Sequence, residues 1–256
     1  MSSTVTALSV TAVKGTRLQS VDQIDLGLDG ARGNRRFVLI DERNHLLNAK
    51  RVGALESVIA DYADERSRLG LTFPDGRVVE GPVADGETIS VKLFVGNVEA
   101  QLLDGPWSEA LTDFVGRSVR IARTDLAVDR GPRGTVSLVS RASVDRLAEV
   151  AGEPSVDARR FRMLIEIDGL GPHEEDGWVG RQVEIGGATV RFNGHVGRCL
   201  VTSRDPDTGE IDLPTLDILR EYRGELDTTE RLPFGIYGEV VSEGLVRVGD
   251  PVQAAE

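Results

Sequence analysis

Short apolar runs separated by glycine- and proline-rich turns dominate the chain, and long amphipathic stretches are few, a pattern that predicts a β-rich fold. Leu8, Val10 and Ala12 alternate with Ser9, Thr11 and Val13 in a first strand, and Phe37-Val38-Leu39-Ile40 is a continuous run suited to burial. Turn chemistry predicts hairpins at Pro74-Asp75-Gly76, at Gly186-Gly187 and at Asn193-Gly194. Asp205-Pro206-Asp207-Thr208-Gly209 reads as a β-turn, because it lacks the spaced carboxylates and terminal glutamate of a calcium loop. Three segments carry helical spacing. Pro106 opens the first at position N1, Trp107, Leu111 and Phe114 share its face, and Gly116 ends it. Ser140 or Ser143 caps the second, which buries Val144, Leu147, Ala148 and Ala151 and stops at Gly152. Pro214 opens the third, which presents Leu216, Leu219 and Tyr222 and closes at Gly224. Hairpin-like segments give way to mixed helices and strands near Asp104-Gly105-Pro106, so a divide into residues 1–103 and 104–256 is expected.

Composition narrows the function. The 256 residues hold 42 acidic and 30 basic side chains, a net charge of -12 that disfavours nucleic acid and anionic membrane surfaces as partners. The longest apolar runs are far shorter than the roughly 20 residues of a membrane helix, and no basic residue precedes Lys14 as a secretory leader requires. A cytoplasmic location, in which a lone thiol stays reduced, is the expectation. The single cysteine excludes an internal disulfide, an all-cysteine zinc site and an iron–sulfur cluster. The phosphate-loop, dinucleotide, HExxH and GxSxG motifs are missing as well.

Two features remain. Cys199 lies in His195-Val196-Gly197-Arg198-Cys199-Leu200-Val201-Thr202, at the end of a strand-like segment where loops gather function. A lone cysteine is most often a buried small hydrophobe; Arg198 and His195 instead favour a thiolate, which is a natural ligand for a soft or high-valent metal. Arg159-Arg160-Phe161-Arg162, Lys14-Gly15-Thr16-Arg17 and Lys50-Arg51 are basic clusters in an acidic chain. Converging, they would make an anion site suited to a phosphorylated cofactor.

With these residues in view, the chain resembles the MOSC family, the molybdenum cofactor sulfurase C-terminal domain, together with its usual β-rich N-terminal companion. The resemblance rests on Val13-Lys14-Gly15, Arg36 to Asp41, Ala49-Lys50-Arg51, Ser140 to Ser143, Arg160-Phe161-Arg162, Glu175-Asp176 with Trp178, Gly197-Arg198-Cys199 to Thr202, Asp205-Pro206, Gly209, Phe234 to Tyr237 and Val248 to Val252. It implies a β-barrel with peripheral helices (α+β), preceded by a smaller β-rich domain. It also implies a molybdenum cofactor (molybdopterin) in which Cys199 supplies the thiolate to the metal, as the cysteine does in the amidoxime-reducing relatives. Lys14, Lys50, Ser140, Arg160, Arg162 and Arg198 are the residues it assigns to the cofactor or its phosphate. Met163-Leu164 replaces the Pro-Asn common among relatives, and Val196 stands where many carry a second cysteine. No aminotransferase-like domain is present, so pyridoxal phosphate is not expected. The implied activity is reduction of small N-hydroxylated compounds, with electrons from a separate ferredoxin- or flavin-type reductase. Three alternatives stay open: a sulfur carrier with a Cys199 persulfide serving a cofactor-biosynthesis protein, an escort for the pterin cofactor, and a barrel whose Cys199 is only structural.

Overall fold

The computed structural model describes residues 3–63, 67–93, 96–124, 130–228 and 230–254. The first half runs through β1 (Ser3–Val10), β2 (Gln19–Val21), β3 (Gln23–Gly27), β4 (Gly30–Ala31), β5 (Phe37–Ile40), β6 (Leu46–Leu47), β7 (Ile59–Ala63), β8 (Arg68–Thr72), β9 (Val78–Pro82), β10 (Ala84–Leu93), β11 (Gly96–Asp104) and α1 (Trp107–Val115). The second half follows with β12 (Arg120–Arg123), β13 (Val136–Ser140), α2 (Arg141–Ala151), β14 (Ile165–Asp168), β15 (Gln182–Ile185), β16 (Ala188–Gly197), α3 (Thr215–Arg223), β17 (Pro233–Ser242), β18 (Gly244–Arg247) and β19 (Pro251–Ala254).

Seven strands close on themselves in the order β14-β13-β17-β16-β15-β19-β1, with β1 pairing back to β14. Closure leaves no ladder groups unpaired at an edge. Alternating side chains fill the barrel with Val5, Leu8, Ile167, Val190, Phe192 and Ile236. A second core forms where Phe37, Leu39, Leu69, Leu71, Trp107 and Ile121 meet beneath a five-stranded sheet in the order β10-β11-β12-β5-β6. The β7-β8-β9 meander contributes to it, and Trp107 Nε1 donates to the Leu69 carbonyl at 3.0 Å, so the buried indole leaves no polar atom unsatisfied.

Strand pairing does not follow the expected divide after residue 103. β1 pairs with β14 and β19 (Leu8 opposite Ile165, Ser3 opposite Val252) and so belongs to the barrel, while β12 pairs with β5 and β11. The physical reason is closure: the barrel needs a strand between β14 and β19, and the alternating pattern of Ser3–Val10 supplies it. Gly105-Pro106 is the N-terminal turn of α1, with Pro106 at the cap position, and α1 packs on β12 and β9.

Most local readings hold. The hairpins at Pro74-Asp75-Gly76 and Gly186-Gly187 form, and Gly116 and Gly152 end α1 and α2 in left-handed conformations. α3 buries Ile218 and Leu219 while Leu216 is only half-buried. Asn193-Gly194 is not a turn. It lies inside β16, where the register slips between Phe192 and Gly194 and Asn193 donates to the Arg133 carbonyl. A Cβ on Gly194 would stand 3.0 Å from the Tyr237 hydroxyl, so a larger residue there would require that side chain to shift.

Candidate cofactor site

β16 ends at Gly197, and Cys199 follows in extended conformation as the residue that opens a 3₁₀ turn over Leu200–Ser203. Thr202 anchors this turn by donating its N–H and its hydroxyl to the Cys199 carbonyl, both at 3.0 Å. The thiol itself is exposed, so Cys199 is not a core residue. It lies on the wall of a cavity of about 600 Å³ whose other walls come from both halves of the chain.

Lys14, Lys50, Arg160, Arg162 and Arg198 line this cavity with Cys199, and Arg35 and Arg130 join them. Among the described residues the lining contains no aspartate or glutamate. Although Arg130, Arg160 and Arg162 pair with carboxylates outside the lining, so many cations around one cavity in a chain of net charge -12 suit an anion. Burial pushes Arg35 down to about 9, with the Arg162 charge adding to the effect. Burial and the Arg130 charge bring Arg198 to about 9 as well. Both remain protonated at neutral pH and repel like charges in a poorly hydrated space, which a bound anion would relieve.

The arginines nevertheless differ in role. Arg198 turns inward: Nε donates to the Phe234 carbonyl at 2.9 Å, Nη1 to the Phe161 carbonyl at 2.7 Å, and Nη2 to Met163 Sδ at 3.0 Å. Its donors are committed to protein atoms, so it fixes the strand end that carries Cys199 and acts on the cavity through charge. Arg160 is similarly committed, forking onto Asp212 at 3.1 Å through both Nη atoms and holding the Thr202 and Arg204 carbonyls. Arg162 adopts a left-handed conformation with φ 55° at the end of the Ala158–Phe161 turn, which swings it into the first half. There it donates to Glu56 Oε1 at 2.8 Å and to the Thr16 carbonyl at 2.6 Å, while Arg35 donates to the Arg162 carbonyl at 2.8 Å.

The turn at Asp205 to Gly209 holds the Lys50 loop in place. Asp205 Oδ1 accepts from the N–H groups of Asp207 and Thr208, and Gly209 approaches Gly53 so closely that a Cβ on Gly53 would fall 2.3 Å from the Gly209 carbonyl. Arg204 clamps the same contact, donating to the Gly209 carbonyl at 2.6 Å and to the Lys50 carbonyl at 3.5 Å.

Residues 125–253 match the MOSC domain family. The chain belongs to this family. Mitochondrial amidoxime-reducing component 1 of Xenopus laevis is 31% identical over 283 residues, covering 97% of the chain and 81% of that protein. The mouse component 1 is 38% identical over 121 residues, 45% of the chain and 35% of the relative, and the human component 2 is 39% identical over 106 residues, 39% and 31% respectively. The matched segment thus spans about a third of these last two relatives. Among solved structures, the YuaD protein from Bacillus subtilis aligns over 99% of this chain and 96% of its own, with 12% identity and a TM-score of 0.47. No helix among the described residues of this MOSC protein is long and apolar enough to cross a membrane.

Ser140 does not join the cavity. It is fully buried at the start of α2, where its N–H donates to Glu175 Oε1 at 3.1 Å. Ser143 Oγ donates to the same carboxylate at 2.7 and 2.9 Å. A glutamate 35 residues away in sequence therefore caps α2, in place of either serine, and its negative charge suits the helix N-terminus. Burial nonetheless pushes the Glu175 carboxyl up. Arg35 had a faint sequence signal, since Asn34-Arg35-Arg36 precedes a buried run much as Lys14 follows one. Glu56 had none, because one acid in Gly53-Ala54-Leu55-Glu56-Ser57 looks like surface.

Behind Phe234 the ring of His173 packs against Tyr222 and Phe234, with both nitrogens buried and unpaired. Burial, with the Arg223 charge, brings His173 down to about 4. A base held neutral by the fold contributes stability that is complete above its ordinary pKa near 6.5 and is lost as pH falls toward 4. Glu175, pushed up, works in the opposite direction, so a variant must isolate the histidine. His173→Asn tolerates the local φ of 61°, and its urea midpoint is expected to fall less than that of the wild type between pH 6.5 and 4.5. Parallel curves would show that His173 does not carry the acid sensitivity.

Proposed function

We infer that this chain holds a molybdenum cofactor and is an oxidoreductase that reduces small N-hydroxylated substrates. The observation that supports this reading best is the exposed Cys199 thiol on the wall of a cationic, carboxylate-free cavity in an acidic protein. The relatives named amidoxime-reducing components point to the same chemistry.

The residues fit such a group. A thiolate suits molybdenum, and ammonium and guanidinium groups suit the phosphate of a pterin tail. Thr135 Oγ1 is a buried polar atom without a partner on a residue of the cavity lining, which suits a polar ligand. When bound, the cofactor supplies two-electron chemistry at the metal. Cys199 would hold the metal; Lys14 and Lys50 would hold the phosphate; Arg162 would add charge from its fixed position. Arg198 and Arg160 act indirectly, by fixing the two ends of the segment that carries the thiol. One cysteine cannot also build an iron–sulfur relay, so electrons come from a separate donor protein. An exposed lone thiol suits a reducing compartment such as the cytoplasm.

Metal analysis and oxidised-pterin fluorescence on protein from a cofactor-sufficient host test this reading. Molybdenum and pterin are expected in equal amounts, and the dithionite-reduced protein is expected to be reoxidised by benzamidoxime or a hydroxylamine. Protein with neither metal nor pterin sinks the reading, and a labile extra sulfur on Cys199 by mass spectrometry would then identify a sulfur carrier. Loaded protein that no substrate reoxidises is an escort.

A further inference from the structure

The cavity lining holds one more cation, Arg130, that the cofactor reading leaves unused. Arg130 precedes the Gly131–Gly134 turn and lines the wall beside Gly134, Thr135 and Tyr237. Its guanidinium carbon stands over the Tyr237 ring, 4.4 Å from the centroid, a cation–π contact that holds it at the aromatic face. Its charge reaches Arg198, the neighbour of Cys199. A guanidinium that lines the same cavity as the thiol is a ready donor to a planar carboxylate.

In this structure a carboxylate already occupies it. Glu230, from the segment before β17, accepts from Arg130 Nη1 at 2.9 Å. The same side chain lies over the strand end that leads to the thiol, since a Cβ on Gly197 would fall 2.5 Å from Glu230 Oε2. Glu230 is not part of the cavity lining. The two side chains are 25% and 35% exposed, so the pair is of the weak, partly solvated kind. Glu56 and Asp212, which hold Arg162 and Arg160, pair with guanidinium groups only 14% and 6% exposed. Of these three pairs, Arg130–Glu230 is therefore the one whose carboxylate is most readily exchanged.

We propose that Arg130 is a subsite for a substrate carboxylate and that Glu230 is its internal surrogate, displaced when an aryl or small organic acid enters the cavity. The proposal deepens the oxidoreductase reading and rests on it for the reaction; binding at the subsite stands apart from the metal. It assigns the substrate class as N-hydroxylated compounds that carry an acid group. Arg130 then determines specificity, and Glu230 sets the threshold for occupancy.

Benzoate binding to the intact protein, measured by calorimetry with benzamide as the uncharged control, tests the assignment without requiring molybdenum. Benzoate is expected to bind more tightly than benzamide. Arg130→Gln is expected to weaken benzoate by about tenfold, as the loss of a charge-assisted fork should. Glu230→Gln is expected to tighten benzoate by about fivefold, the worth of a partly exposed ion pair no longer in competition. Neither change should move benzamide. A purely structural ion pair predicts the reverse sign for Glu230→Gln, so unchanged or weaker benzoate binding in that variant overturns the proposal. Equal binding of benzoate and benzamide, or no benzoate binding, overturns it too. Failure here leaves the metal and pterin analysis untouched, and metal-free protein can still pass.

Discussion

Cys199→Ala is expected to lose its molybdenum and to lower substrate reduction by more than about a hundredfold, because even supporting groups around a metal cost 10 to 100-fold when removed. Its stability is expected to stay within about 0.5 kcal/mol of the wild type. Both expectations follow from the same local geometry. The thiol is exposed and the backbone carbonyl of Cys199, not its sulfur, accepts the two Thr202 bonds that organise the following turn. Alanine keeps that carbonyl and the extended backbone. Phosphate affinity should also survive, since Lys14, Lys50 and Arg162 are unaltered. Metal content, inorganic phosphate binding and a urea melt on one preparation separate these effects. Retention of molybdenum by the variant would remove Cys199 from the metal site; loss of phosphate binding would show that the thiol, not the cations, organises the cavity.

The sequence carried the parts of this site that depend on local chemistry. A lone cysteine after a strand-like run, and basic residues at strand ends, are visible without any fold, and those five cations do meet around Cys199. Barrel closure was not visible, because the partner of β1 depends on strands more than 150 residues away, and an alternating pattern states which face is buried without saying which strand lies beside it. The roles of Arg160 and Ser140 were hidden for a related reason. Arg160 binds the distant Asp212 through its guanidinium and Ser140 binds the distant Glu175 through its backbone N–H, and neither partner shows in the local sequence. Asn193-Gly194 was misleading because the dipeptide that favours a tight turn also permits the register slip of a strand.

Glu56 is the clearest case of a residue that only the fold reveals, and Glu56→Ala is expected to cost about 3–5 kcal/mol of stability, the range for removing one member of a buried ion pair. The Glu56 side chain is 1% exposed and that of Arg162 14%, at 2.8 Å. Burial pushes the Glu56 carboxyl up and the Arg162 guanidinium down, each opposed by the charge of the other. Without the carboxylate, Arg162 faces Arg35 uncompensated in the cavity wall. The loss should therefore be partly recovered by an anion, and inorganic phosphate is expected to raise the urea midpoint of Glu56→Ala more than that of the wild type, as a ligand bound only to the folded state must. Pairing Glu56→Leu with Arg162→Met should restore stability, since apolar replacements of a buried pair are often neutral or better, yet it should not restore phosphate binding. That contrast decides what the pair is for. If the double variant binds phosphate normally, Arg162 is a structural charge; if it is stable but blind to phosphate, the fold carries a buried ion pair at some expense to packing so that one guanidinium stays aimed at the cavity. A loss below about 1 kcal/mol in Glu56→Ala, the scale of an exposed pair, would mean that solvent already screens Arg162 and that the first half of the chain does not hold it.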